Sequence, residues 1–195
     1  MVKLCLDLCA GREGFSEAFK NNPNWEVIRV DIEERLKPDM ALDLIDVVEN
    51  RERYMDFWNL KPEVILASPP CERWSIANSH WPLPGIYTAT KVLGAVLEII
   101  SEMRPRGWII ENPKGRMRWF LHKPSMTLNL KQFGYTTVKP TDFWTNIDFG
   151  LLRSTSQANP EGIKFSTSVC RAASKRALMP LGRSQMILDQ MEALE

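Results

Sequence analysis

Cys71 lies at a position in this sequence that would suit a catalytic nucleophile. Residues 64–67 are apolar and read as a short buried strand, although periodicity alone does not exclude a helix. Ser68-Pro69-Pro70 ends this segment, because two consecutive prolines donate no backbone hydrogen bond and fix φ. Cys71 therefore follows the carboxyl end of a strand, the edge at which open α/β sheets place their ligands. We expect a functional thiol there, rather than the more common small buried hydrophobe.

A carboxylate follows a second predicted strand. Residues 107–113 are mostly apolar and end in Glu111-Asn112-Pro113. If this strand is the parallel neighbour of residues 64–67, Glu111 lies at the same edge of the sheet as Cys71. Conjugate addition by a thiol needs a neighbouring acid to stabilise the enamine-like intermediate. The two side chains together predict nucleophilic catalysis of this kind.

A glycine turn near the N-terminus could approach a cofactor. The predicted strand at residues 3–8 leads into Gly11 and Gly14, and a helical pattern follows through Phe19. Strand, glycine turn and helix in this order bring backbone N–H groups to a ligand. Two glycines do not make the dinucleotide fingerprint, and a turn that serves only tight packing explains them equally well.

Two aspartates follow this turn along the chain. Asp31 ends a predicted strand at residues 25–31, where an acid can accept hydrogen bonds from the ribose hydroxyls of an adenosine group. Asp43 could accept from an adenine amino group. Capping a helix is the commoner use of a lone aspartate, and it remains open for both residues.

The surrounding elements alternate between strand and helix. The predicted strands are residues 3–8, 25–31, 64–67 and 107–113, with a late hairpin of residues 134–138 and 142–145. The predicted helices are residues 49–58, Thr90 to Met103, and a final helix from Pro180. Residues 72–86 are too long for a plain connection and predict a functional loop or lid. The pattern predicts an α/β fold whose mostly parallel sheet is closed by an antiparallel hairpin.

Length and composition limit the class of protein. With 195 residues, 44% of them hydrophobic, we expect a single domain over residues 1–195. We expect no membrane partner, since no apolar run could span a bilayer and the N-terminus shows no signal-peptide pattern. Four cysteines without a Cys-x-x-Cys pair and two histidines predict no metal site. Reduced thiols favour a cytoplasmic protein.

The charges are unevenly distributed. Residues 1–63 hold 14 acidic and 9 basic side chains, whereas residues 64–195 hold 10 acidic and 16 basic ones. A basic half beside a reactive loop suits a polyanion, although a solvated basic face explains it equally well. Residues 114–120 combine basic and aromatic side chains, as nucleic-acid contacts often do, and amphipathic packing is the alternative.

Four short motifs occur in a fixed order. They are Asp7-Leu8-Cys9-Ala10-Gly11-Arg12-Glu13-Gly14-Phe15, Val30-Asp31, Ser68-Pro69-Pro70-Cys71-Glu72-Arg73-Trp74-Ser75 and Ile110-Glu111-Asn112-Pro113. The set resembles the cytosine-5 DNA methyltransferases, and more closely their short, phage-type members. Three family motifs read Asp-Leu-Phe-x-Gly-x-Gly-Gly, Pro-Cys-Gln-x-Phe-Ser and Glu-Asn-Val. The resemblance covers roughly residues 3–146 and implies a class I, Rossmann-like methyltransferase that uses S-adenosylmethionine.

The resemblance implies a role for each matching residue. Cys71 would add to carbon 6 of cytosine, and Glu111 would hold ring nitrogen 3 and the exocyclic amine while carbon 5 takes the methyl group. S-adenosylhomocysteine would be the product and DNA the partner. The implied cofactor-binding residues are Asp7, Cys9, Gly11, Gly14, Phe15, Asp31, Ile32, Asp43 and Pro70. The implied substrate-binding residues are Ser75, Asn112 and Pro113.

The sequence also departs from the family pattern. Cys9 stands where the family has phenylalanine, and the Gln-x-Arg-x-Arg motif of the family has no match between Phe133 and Asn146. Lys139, Arg171 or Arg176 could replace it in binding the substrate. The family's large recognition region has no room here, so residues 150–180 are the candidate for a reduced recognition segment. Specificity would then be relaxed, or supplied by a partner subunit or a second copy of the chain.

Two other functions remain open at this point. Ser68-Pro69-Pro70-Cys71 is one residue from the Ser-Pro-Pro-Tyr pattern of amino-methyltransferases, which alkylate an exocyclic nitrogen of cytosine or adenine. Glu111-Asn112 argues against that activity. The absence of the Gln-x-Arg-x-Arg motif and of the large recognition region would instead suit a catalytically reduced subunit that only binds cofactor or DNA.

Overall fold

One seven-stranded sheet organises the chain. The computed structural model describes residues 1–12, 14–74, 85–129, 140–149 and 181–193. The strands, in chain order, are β1 (Lys3–Leu8), β2 (Trp25–Asp31), β3 (Met40–Ala41), β4 (Val64–Ala67), β5 (Gly107–Pro113), β6 (Met126–Asn129) and β7 (Pro140–Thr145). Across the sheet their order is β3-β2-β1-β4-β5-β7-β6.

The five strands β1 to β5 run parallel, and β7 runs antiparallel to both of its neighbours. Leu8 of β1 pairs with Ala67 of β4, and Ala67 pairs with Ile110 of β5. The carboxyl ends of these three strands therefore meet at one edge of the sheet. Strand order reverses between β1 and β4, and ligands of open α/β sheets bind beside such a switch point.

Helices cover both faces of this sheet. They are α1 (Glu17–Lys20), α2 (Leu44–Glu49), α3 (Met55–Trp58), α4 (Ile86–Met103), α5 (Arg118–Leu121) and α6 (Leu181–Glu192). Short 3₁₀ turns occur at Glu34–Leu36, Arg51–Tyr54 and Cys71–Arg73. Within the described ranges, no helix combines the length and the apolar composition that a membrane span requires.

The core has one layer on each side of the sheet. Successive strand residues point to opposite faces, so β4 contributes Ile65 and Ala67 to one layer and Val64 and Leu66 to the other. Helix α4 covers the first layer, and α1 with α6 covers the second. Burial on both faces explains why β4 reads as a continuous apolar run rather than an alternating one.

The predicted α/β fold with a mostly parallel sheet is confirmed, with corrections in its details. Helix α4 begins at Ile86, before the predicted Thr90, and the predicted helix at 49–58 is divided between a 3₁₀ turn and α3. In the described chain, the strand before β7 is β6, which pairs with it in the antiparallel direction and was not predicted from the sequence. The predicted strand at 134–138 lies outside the described residues.

Candidate active site

Cys71 begins a 3₁₀ turn directly beyond β4. The amide of Ser68 donates to the Leu8 carbonyl at 3.0 Å, which extends the pairing of β4 with β1 past the strand itself. Pro70 then turns the chain with φ −48° and ψ 118°, and Cys71 follows half-buried. Because proline has no backbone N–H group to donate, the hydrogen bonding of β4 to its neighbours ends at these residues. Cys71 therefore lies just beyond the carboxyl edge of the sheet.

Trp74 anchors the turn that carries Cys71. Its side chain is fully buried, and its amide donates to the Cys71 carbonyl at 3.1 Å. The Trp74 carbonyl in turn accepts from the Arg116 amide at 2.8 Å. A Cβ added at Gly115 would stand 2.3 Å from that carbonyl oxygen, so the chain after β5 packs against this turn without room for a side chain.

The end of β5 places a carboxylate at the same edge. Strands β4 and β5 are parallel neighbours, with Ala67 opposite Ile110, and Glu111 comes next along β5 with 8% of its surface exposed. The fully buried Asn112 donates through Nδ2 to the Pro69 carbonyl at 2.8 Å. This hydrogen bond connects the end of β5, next to Glu111, to the loop that leads into Cys71.

A cleft opens between the ends of β1 and β2 and the start of α2. Its lining residues are Cys9, Asp31, Ile32, Leu42, Asp43, Leu44, Pro70 and Val92. Four of the predicted cofactor residues besides Pro70 thus lie around one cavity, namely Cys9, Asp31, Ile32 and Asp43. Its lining combines apolar side chains with the carboxylates of Asp31 and Asp43, which could accept hydrogen bonds from ligand hydroxyl or amino groups.

Both cleft aspartates also hold backbone amides. Asp31 accepts from the Gly11 amide at 2.8 Å through Oδ2 and from the Glu33 amide at 2.9 Å through Oδ1. Asp43 caps α2, because its Oδ1 accepts from the Ile45 amide at 2.9 Å. The capping use that the sequence left open for Asp43 is therefore present. A carboxylate has about four acceptor positions, so both residues retain capacity for a ligand.

The turn after β1 depends on left-handed backbone. Cys9 and Gly11 have φ values of 54° and 59°, and Gly14 has 126°, a region that is essentially restricted to glycine. The Ala10 amide donates to the Val30 carbonyl at 3.1 Å, which holds this turn against β2. The turn brings the Gly11 amide to Asp31 at the rim of the cleft.

Asp7 and Phe15 have structural contacts. Asp7 is fully buried, and its Oδ2 accepts from the Ser16 hydroxyl at 2.6 Å. Phe15 is buried in the core layer beneath α1 and α6, and its carbonyl accepts from the Ser184 hydroxyl at 2.7 Å. These contacts fix the start of α1 against the sheet and against α6.

The surroundings of Cys5 and Cys9 make these two thiols poor nucleophiles. Burial raises the pKa of the Cys5 thiol well above its usual range, and the charge of Asp7 adds to this. Burial also raises the pKa of Cys9, with smaller contributions from Asp31, Asp7 and Asp43. Both groups therefore stay protonated near neutral pH, and a protonated thiol is not the attacking species.

An ion pair near the site was not predicted from the sequence. Arg118 donates through Nε to Oδ2 of the fully buried Asp142 at 2.6 Å and through Nη2 to its Oδ1 at 2.5 Å. The Thr127 hydroxyl donates to the same Oδ1 at 2.7 Å. Hydrogen bonding to Asp142 raises the pKa of Arg118. Asp142 pairs with Asn112 across β5 and β7, a register that only the three-dimensional pairing reveals.

The remaining predicted residues are only partly described. Pro113 ends β5 opposite Thr141 of β7 and is half-buried. Ser75, Lys139, Arg171, Arg176 and the segment 150–180 lie outside the described residues. Their role in binding the substrate stays a prediction.

Known proteins resemble this chain in sequence and in fold. Residues 4–141 match the family model described as C-5 cytosine-specific DNA methylase. A protein of Frog virus 3 (isolate Goorha), named as a DNA (cytosine-5)-methyltransferase, is 26% identical over 162 residues, which cover 73% of this chain and 70% of the viral one.

A crystal structure described as a DNA modification methyltransferase, encoded within an E. coli prophage, superposes with a TM-score of 0.54 at 13% identity. The match covers 77% of this chain and 49% of that one, so the chain spans about half the length of the solved protein. At this identity the likeness concerns the fold alone.

Proposed function

The chain belongs to the C-5 cytosine-specific DNA methylase family, and we propose that it methylates carbon 5 of cytosine in DNA through a covalent adduct with Cys71. One observation carries this proposal above the others. The hydrogen bond from Asn112 to the Pro69 carbonyl joins the strand end that bears Glu111 to the turn that bears Cys71. This connection supports the proposal because it ties the segments bearing the thiol and the carboxylate together at one edge of the sheet, beside the cleft that Pro70 lines.

The two side chains divide the chemistry between them. The Cys71 thiolate forms a bond to carbon 6 of cytosine, and the electron pair of the ring double bond moves toward carbon 5 and nitrogen 3. Glu111 holds nitrogen 3 and supplies a proton as negative charge develops there. After methyl transfer, water takes the proton at carbon 5, nitrogen 3 returns its proton to Glu111, and the restored double bond expels the thiolate. S-adenosylmethionine, when bound, supplies the electrophilic methyl group.

The cleft between β1 and β2 is where we place the cofactor. Asp31 would accept from the ribose hydroxyls with the acceptor capacity left beside Gly11 and Glu33. Asp43 would accept from the adenine amino group, and Ile32 and Leu44, which line the same cleft, would contact the faces of the ring. Pro70 lines the same cleft directly before Cys71, so the cofactor and the nucleophile would be neighbours.

The substrate is DNA, and its target base must leave the stack. A cytosine within a duplex hides carbon 6 from a thiol, and enzymes that modify bases solve this by rotating the nucleotide out of the helix. We further infer that a partner subunit or a second copy contributes sequence specificity. We also propose a cytoplasmic location, because cysteines stay reduced in that compartment.

Nucleoside analysis tests the reaction class. Incubation of mixed-sequence DNA with the chain and S-adenosylmethionine, followed by digestion and mass spectrometry, should yield 5-methylcytosine. The Cys71→Ala chain should yield none, and Cys5→Ala should retain the activity because Cys5 is buried within β1 and does not line the cleft. Recovery of N4-methylcytosine or N6-methyladenine instead would assign the chain to the amino-methyltransferases. Binding of cofactor without any methylated base would favour the catalytically reduced subunit.

A further inference from the structure

A basic and aromatic surface follows β5. Residues 114–123, which we call the basic–aromatic segment, contain four lysines and arginines and no acidic residue. Trp119 is 65% exposed and Phe120 is 46% exposed, although such large apolar side chains usually lie inside a protein. Side chains of this kind, exposed together and surrounded by charge, indicate a binding surface.

This segment is fastened to the nucleophile turn. The Arg116 amide donates to the Trp74 carbonyl at 2.8 Å, and the Phe120 ring packs edge-on against the Trp74 ring with centroids 5.2 Å apart. Trp74 follows Cys71 within the same short turn. The segment therefore packs directly against the turn that carries Cys71.

The four cations of the segment have different surroundings. Arg118 is engaged with Asp142 and Thr127, which ties α5 to the last two strands of the sheet. Lys114 and Lys123 are exposed. The Arg116 guanidinium lies 5.9 Å from the centre of the Trp119 ring, so positive charge and an aromatic face are presented together.

We propose that the basic–aromatic segment is a DNA-binding surface on which Trp119 stacks against a base beside the extruded cytosine, while the lysines contact phosphates. This inference rests on the proposed function for its substrate. Aromatic platforms combined with cations are the usual means of holding unstacked bases. Rotation of a cytosine out of the duplex leaves the ring faces of its neighbours uncovered, which gives an aromatic residue near the site a partner.

Binding without catalysis tests the stacking contact. Fluorescence anisotropy of a labelled duplex with one mismatched cytosine, measured without S-adenosylmethionine, gives the affinity. Trp119→Ala should weaken binding roughly five- to hundredfold, the usual effect of losing one stacked base. Trp119→Phe should restore most of the affinity, because it retains an aromatic face. Met55→Ala, at a 50% exposed position on α3, is the matched control and should change nothing.

The salt dependence of binding tests the phosphate contacts. Each lost phosphate contact lowers the slope of log affinity against log salt by about one. Lys114→Gln should show that decrease. Lys61→Gln removes an exposed lysine just before β4, at the opposite edge of the sheet, and should leave the slope unchanged.

Three results would overturn the inference. They are an unsubstituted chain that does not bind DNA, a Trp119→Ala chain of undiminished affinity, and a Trp119→Ala chain that differs only in its sedimentation, as a contact between copies would. Thermal unfolding of each variant verifies that it folds. A chain that binds DNA through Trp119 but forms no 5-methylcytosine would contradict the proposed function and leave this surface intact.

Discussion

Three cysteines of the described chain lie on or beside the parallel strands, and their surroundings make them chemically different. Cys5 is buried within β1, and Cys9 lies beside two carboxylates in the cleft; burial raises the pKa of both thiols. Cys71 leaves the sheet after two prolines and is half-buried at the carboxyl edge. Burial and the neighbouring carboxylates raise the pKa of the Cys5 and Cys9 thiols, so Cys71 remains the candidate nucleophile among the three.

Thiol labelling should reveal this difference. In a Cys170→Ser background, a disulfide reagent at pH 8 should label Cys71 in the folded chain while Cys5 and Cys9 stay unlabelled. A thiol whose folded pKa is raised remains protonated as the pH rises through its unfolded value, so labelling of those two should require unfolding. Absorbance of the released reagent counts the thiols. Rapid labelling of Cys9 in the folded chain would contradict the account of its surroundings.

Glu111 is the second residue on which the chemistry depends. Glu111→Gln keeps the shape of the side chain and removes its acid, so methyl transfer should fall by about 10²- to 10⁴-fold, the usual contribution of a positioned acid or base. Cofactor affinity by calorimetry should stay unchanged. Glu98→Gln, at an exposed position on α4, is the control. An equal loss in both variants, or none in either, would remove Glu111 from the mechanism.

At the scale of elements, β5 connects the parts of the site. It pairs with β4 on one side and β7 on the other, and its end carries Glu111 and Asn112. The chain that follows it packs against the Cys71 turn through Gly115 and Arg116. A displacement of β5 therefore moves the acid relative to the nucleophile.

Loss of the Asn112 side chain should weaken this connection. Asn112→Ala removes the donor to the buried Pro69 carbonyl, which should lower the free energy of unfolding by about 1–3 kcal/mol. The rate of methyl transfer should fall more than the affinity for cofactor, because the cleft lies on the other side of β4. Asn50→Ala, which loses only an exposed hydrogen bond to Asp46, is the comparison. Urea unfolding and single-turnover kinetics give the two quantities.

Two glycine substitutions should have opposite effects on stability. Gly115→Ala forces a Cβ to within 2.3 Å of the Trp74 carbonyl oxygen, so it should destabilise the fold by about 1–3 kcal/mol and displace the turn that carries Cys71. Gly94→Ala adds a methyl group on α4 with no atom within 4 Å, and it should stabilise by up to about 1 kcal/mol. Thermal and urea unfolding measure both. A neutral Gly115→Ala would mean that the turn is not packed as described.

At the scale of the whole molecule, the sequence predicts where the strands occur better than it predicts which strands pair with each other. Continuous apolar runs such as residues 64–67 identify strands buried on both faces, and prolines and polar triplets mark where they end. β6 was missed because its four residues, with Met126 and Leu128 facing inward, make too short an alternation to notice. The Arg118–Asp142 pair was missed because it depends on the register of β7, which no local pattern encodes.

The candidate site follows the same rule. Cys71, Glu111 and Asp31 could be predicted as site residues because each lies at or near the carboxyl end of a strand, and such ends meet at one edge of a parallel sheet. The bond from Asn112 to Pro69 could not be foreseen, because it joins residues far apart in sequence through a backbone carbonyl.

The most direct measurement is the mass of the protein after incubation with S-adenosylmethionine and a duplex containing 5-fluorocytosine. Fluorine at carbon 5 prevents the final elimination, so a covalent protein–DNA species should accumulate, and peptide mapping should place the link on Cys71. Cys5→Ala, at a buried position outside the cleft, should form the same species, and Cys71→Ser should not. A chain that binds the cofactor and the duplex yet forms no adduct, or forms it at another residue, would contradict the central claim.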